Sequence, residues 1–235
     1  MSRTLPAFFA EEYARFSAFA LRHWAVDAAF VRDTHPLLKP IHRDYLSLAC
    51  AASVASHRGH RNEYAKGVAE AGHLCLILAL RGLQNPSCVL LRQTIELTLK
   101  HIYFQSHPVE YSWARSRVDY KDLTFQALLT YITRTDEYRS PGDNNVTCER
   151  IDYWYGLLSR HVHVHSRHFL GYPTIGKAYR PSLEDIKHLR QTTHHVWPRL
   201  TLLLASFHKA KFARSNLLEQ RLIKHSLPVK HRSIF

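Results

Sequence analysis

Apolar residues recur along this chain at three- and four-residue intervals, with no stretch of strict alternation. Phe8, Phe9, Tyr13, Phe16, Phe19 and Ala20 follow that spacing and predict a first helix over about 7–32. His35-Pro36 should end it, because the residue before a proline is pushed out of the helical region. Pro36 and Pro40 then bracket a short connection before a helix near 41–57. The next helix is expected over 62–83, with Asn62 as a possible cap and Gly82 near its end.

Asn85-Pro86 reads as a capping amide followed by proline at the first helical position, opening a helix that runs to about 105. His107-Pro108 restarts the chain, and Lys121 to Thr133 predicts another short helix. Residues 140–145, SPGDNN, form a loop by composition. Thr147 to His168 is expected to be helical, and 171–181 to be a second loop. Ser182, with Asp185 three residues on, resembles a capping box and should start a long last helix, bent or broken near Pro198. There is no internal repeat. The expected architecture is all-α: a single domain over 1–235, an antiparallel helical bundle, with a basic tail over 209–235.

Composition agrees with a packed bundle. Of 235 residues 46% are apolar and 22% charged, and only 8 glycines and 10 prolines interrupt them. The charge changes the picture more. Lys and Arg number 32 against 19 acids, a net charge of +13, and 18 histidines can add to it on mild acidification. A field of that sign attracts polyanions, which makes nucleic acid or an anionic surface the expected partner class, the alternative being a basic protein with no nucleic-acid role. Cys50, Cys75, Cys88 and Cys148 form no CxxC pair. Cys50, Cys75 and Cys88 lie in apolar runs and are read as small hydrophobes, and a reducing, cytoplasmic setting is expected. Glu11 and Glu12 fall where a secretory signal would stay apolar, and the apolar run 73–83 is short and contains Arg81. A soluble chain with no membrane partner is expected.

Two features carry candidate chemistry. The helix over 89–104 is apolar nearly all round, yet Arg92 and Glu96 sit on it four residues apart, on one face, with Tyr103 close by. Burying a charge unpaired is costly, so the two should be bonded to each other or to a third group. They either lock two helices together or border a polar pocket; the sequence leaves both readings open.

The second is LLSRHVHVHSRHF over 157–169. On a straight helix Tyr155, Ser159 and His163 share one face, and His161, His165 and His168 lie nearly opposite. Arg160 neighbours His163 but stands about 140° from His165. His161 and His165 have a workable metal spacing, but no HExxH or matching carboxylate accompanies them, so no metal and no cofactor is expected. The histidines are read either as groups without chemistry or as acid–base groups for a phosphodiester. In the latter, histidine moves protons at the 2′-OH and the leaving 5′-oxygen while arginine holds the phosphate.

Arg160-His-Val-His-Val-His165 matches Arg-x4-6-His, and the chain in this respect resembles the HEPN superfamily. Tyr155-Gly-Leu-Leu-Ser159-x3-His163 and the earlier Arg92-x3-Glu96 resemble elements of bacterial HEPN-like families. The resemblance covers mainly 86–168. It implies an all-α fold, a homodimer, and a metal-independent endoribonuclease acting as a toxin or antiviral defence effector, some relatives cutting tRNA. A restraining antitoxin or regulatory protein would accompany a toxin. On this reading Arg160 clamps the phosphate, and His163 or His165, with His161 a weaker candidate, acts as base or acid. Arg92 and Glu96 support them, while Ser159, Tyr155, Lys100 and Tyr103 are candidate substrate contacts. The alternative is a non-catalytic helical RNA-binding or adaptor protein of a defence complex.

Overall fold

The computed structural model describes residues 4–23, 26–56, 63–116, 122–136, 144–161, 181–227 and 229–234. Among these residues every regular element is helical, and the all-α architecture stands. In chain order the helices are α1 (Leu5–His23), α2 (Ala28–Ser56), α3 (Glu63–Leu80), α4 (Gln84–Ser106) and α5 (Pro108–Ser116). They are followed by α6 (Phe125–Arg134), α7 (Asn144–Ser159), α8 (Leu183–Phe207), α9 (Lys209–Ala213) and α10 (Leu217–Ser226), with a 3-10 turn over Val229–Ile234.

The hairpin of α3 and α4 is the most extensive pairing, and α2 on α8 is the next. Gly82 makes the hairpin possible. Its φ of 73° lets the Gly82 amide reach the Ala79 carbonyl and the Leu83 amide reach Leu78, closing α3 with satisfied carbonyls. Gly72 serves the packing of α3 on α2, since a Cβ there would stand 3.1 Å from the Tyr45 ring. α4 is central, contacting α3, α5, α6, α7 and α8. Leu91, Ile95, Leu99 and Ile102 on it are essentially inaccessible.

Several boundaries differ from the sequence reading. The first helix ends at His23, not near residue 32, and α2 begins after Asp27, whose carboxylate accepts from the Ala29 amide at 2.8 Å. α2 then continues through both Pro36 and Pro40. The carbonyl that Pro36 leaves without an amide donor belongs to exposed Arg32, where water can serve it. On the opposite face Val31, Thr34, Leu38 and Ile41 stay in helical register and are buried. That packing outweighs the local cost of the prolines. α8 likewise is unbroken at Pro198.

Asn85 does not cap α4, which starts one residue earlier. Ser182 does cap α8: its hydroxyl accepts from the Asp185 amide at 3.0 Å. The possible cap Asn62 lies outside the described residues. The basic stretch after His208 packs onto the bundle rather than extending from it. The Ser47 hydroxyl donates to the Leu222 carbonyl at 2.9 Å, and Phe212, Ile223 and Leu227 are buried. Asn216 and Glu219 form a reciprocal capping box that starts α10. No helix among the described residues is long and apolar enough to cross a membrane.

Candidate functional site

α4 buries Leu91, Ile95, Leu99 and Ile102 together with Thr94, Thr98 and His101, while Arg92, Glu96, Lys100 and Tyr103 form a less buried polar stripe along it. Arg92 donates to Glu96 Oε1 at 2.7 Å. The partner that the sequence leaves open is Tyr155 of α7. Its hydroxyl accepts from Arg92 at 2.5 Å and donates to Glu96 Oε1 at 2.6 Å. The Arg92 guanidinium lies 4.7 Å from the Tyr155 ring centre, and the other ring face stacks on Phe125 of α6 at 3.6 Å. Burial raises the Tyr155 phenol above its ordinary range and the Glu96 hydrogen bond adds to this, while the one from Arg92 opposes it. The phenol therefore stays protonated and keeps donating to Glu96. Three helices are thus joined at one polar point inside an apolar packing.

The two other residues of the stripe are engaged. Lys100 Nζ donates to Asp122 at 2.5 Å, and the Tyr103 hydroxyl donates to Glu110 while its ring stacks on His107 at 4.0 Å. The Ser159 hydroxyl turns back to the Tyr155 carbonyl at 2.7 Å.

α7 ends at Ser159. The Arg160 and His161 amides bond the carbonyls of Leu157 and Leu158, three residues back, in a tightened final turn. The azimuths of a straight helix therefore do not apply to Arg160 and His161, and the rest of the expected helix to His168 lies outside the described residues. Arg160 is exposed. His161 Nδ1 lies 3.1 Å from Asn85 Oδ1, at the start of α4. Asn85 and Arg92 are seven residues apart on α4, about 10 Å along its axis. The structure thus brings Arg92, Glu96 and Tyr155 together and places His161 two turns away. His163 and His165 lie outside the described residues.

A second site was not legible in the sequence. A cavity of about 520 Å³ opens between α2, α7, α8, α10 and the C-terminal turn. Arg43, Arg199, Arg232, His194, His195 and His225 line it, and Asp44 is the acid among its lining residues. Asp44 is only 4% exposed and is already engaged, accepting from Arg190 Nη1 at 2.9 Å, with His194 Nδ1 at 3.6 Å. Arg43 Nε lies 3.8 Å from the same carboxylate, so this one acid faces the whole cationic lining. Burial lowers the His195 pKa, and Arg199, His194, Arg150 and Arg190 lower it further. His225 is lowered by burial and by Arg43 and Arg232. Such a pocket suits an anion, which would relieve the repulsion between these groups. The sequence signal was slight: Arg190 and His194 share a helical face, but Arg43 and Arg232 arrive from distant parts of the chain.

Among the described residues one group of side chains could hold a metal ion: Cys88, His161 and His188, whose ligand atoms lie within 4.8 Å of one another. The four cysteines form no disulfide. No family model matches the chain, nor does any curated protein or solved structure.

Proposed function

We propose that this protein is a metal-independent endoribonuclease of HEPN type, acting on RNA in a cytoplasmic toxin or antiviral defence role. What supports the reading is the joint between Arg92-x3-Glu96 on α4 and Tyr155 on α7. It holds together the two helices that carry the HEPN-like elements, five residues before the exposed Arg160. In the proposed reaction Arg160 holds the scissile phosphate, and His163 or His165 removes the proton from the ribose 2′-OH. The 2′-oxygen bonds to phosphorus, the P–O5′ bond breaks, and the 5′-oxygen takes a proton from the second acid–base group. Arg92, Glu96 and Tyr155 orient the end of α7 and do not touch substrate. A homodimer and a restraining protein partner belong to the same proposal.

The experiment is cleavage of end-labelled RNA without magnesium or manganese. Products with 2′,3′-cyclic phosphate ends, lost in Arg160→Ala and in His163→Ala or His165→Ala, are expected. A requirement for added magnesium, or full activity in all three variants, overturns the reading.

A second reading rests on the arginine and histidine pocket, which is separate from the HEPN-like elements. In it the protein binds RNA without cutting it. Binding would weaken steeply with salt, and Arg43→Gln and Arg199→Gln would reduce it while the Arg160 variant would not.

A further inference from the structure

Three helix ends meet at one corner of the bundle. Cys88 stands in the second turn of α4, His161 lies just beyond α7, and His188 is in the second turn of α8. Their ligand atoms lie within 4.8 Å of one another, although 27 positions separate His161 from His188 in the sequence. Cys88 is buried, His161 half-buried and His188 exposed.

We infer that Cys88, His161 and His188 form a binding site for one borderline-soft divalent cation of the zinc class. One thiolate with two imidazoles is a donor set that zinc accepts and that magnesium or calcium does not. Bonds of about 2.0–2.3 Å in a tetrahedral centre set donor atoms about 3.3–3.8 Å apart. The donor atoms, within 4.8 Å of one another, need therefore contract by no more than about 1–1.5 Å. Asn85 stands beside the His161 ring at 3.1 Å, the position of an outer group that holds a ligating imidazole in orientation. Asp185 lies one turn before His188 on α8, but its carboxylate accepts from the Ser182 hydroxyl at 2.6 Å and is not part of the cluster. The fourth position is left to water, as in an open zinc site.

On binding, the Cys88 S–H bond breaks, a metal–sulfur bond forms and the proton leaves to solvent, with no change of oxidation state. The cation would pin the end of α7 to the starts of α4 and α8. The site uses His161, the weaker acid–base candidate, and leaves the proton transfers of the proposed nuclease to His163 or His165.

The test uses the full untagged chain, stripped of metal and titrated with cobalt(II), then zinc. A single equivalent of cobalt with a thiolate-to-cobalt charge-transfer band, displaced by zinc, is expected. Cys88→Ser should abolish the band, and His188→Ala should weaken binding by about 100-fold or more with an unchanged circular dichroism spectrum. Because His188 is exposed, its variant keeps the test decisive even if the Cys88 variant folds poorly. Cobalt bound without a thiolate band, or with equal affinity in His188→Ala, overturns the site.

Discussion

The Tyr155 hydroxyl donates to Glu96 Oε1 at 2.6 Å, across 59 positions of sequence, and accepts from the guanidinium that pairs with that same carboxylate. This bond makes α4 and α7 one unit. Tyr155→Phe keeps the ring stacked on Phe125 but leaves the ion pair short of a donor. It should cost about 1–2 kcal/mol of stability, read from urea midpoints. If the joint orients Arg160, cleavage should fall more than binding does, and a kcat/KM comparison checks it.

The pocket between α2 and α8 predicts anion binding that strengthens as pH falls. Burial and neighbouring cations lower the pKa of His195 and His225 there, so a bound anion raises it and proton uptake accompanies binding. Titration calorimetry of a short oligonucleotide in buffers of different ionisation enthalpy measures that uptake. Arg199→Gln should lessen it and reduce the slope of log affinity against log salt by about 1.

Stability should depend on pH through histidines in the core. Burial lowers the His42 pKa to about 4, with His73 contributing, and the His101 pKa to about 4, with Lys211 contributing. His208 falls to about 3 through burial, His101 and Lys211. These rings are neutral in the folded state, while the unfolded chain takes up protons from about pH 6.5 downward. Stability is therefore complete above pH 6.5 and declines as pH drops toward 4. His42 packs against Tyr13 and Phe16, so His42→Phe keeps ring contacts and removes its share of the decline. At pH 4.5 the advantage should be about 2–3 kcal/mol larger than at pH 7.5. Urea unfolding at the two pH values measures it.

Gly82→Ala tests the hairpin. A φ of 73° disfavours any Cβ, so the substitution should cost about 1 kcal/mol, seen as a lower urea midpoint with an unchanged far-ultraviolet spectrum.

Helical periodicity determined much of this protein by itself. The spacing of apolar residues predicted an all-α bundle, Gly82 marked the end of α3, and Ser182 capped α8 where its side-chain chemistry said it would. Arg92 and Glu96 fell on one face because four residues nearly complete a helical turn, which is a property of one helix alone. Tertiary packing decided what periodicity could not reach. The buried face of α2 carried the helix past Pro36 and Pro40 against the local preference. Tyr155 as the third member of the polar joint, the arginine and histidine pocket, and the meeting of Cys88 with His161 and His188 are all contacts between helices. Sequence spacing reports direction around one axis; which axes lie side by side, and at what level, is set by how the whole core packs.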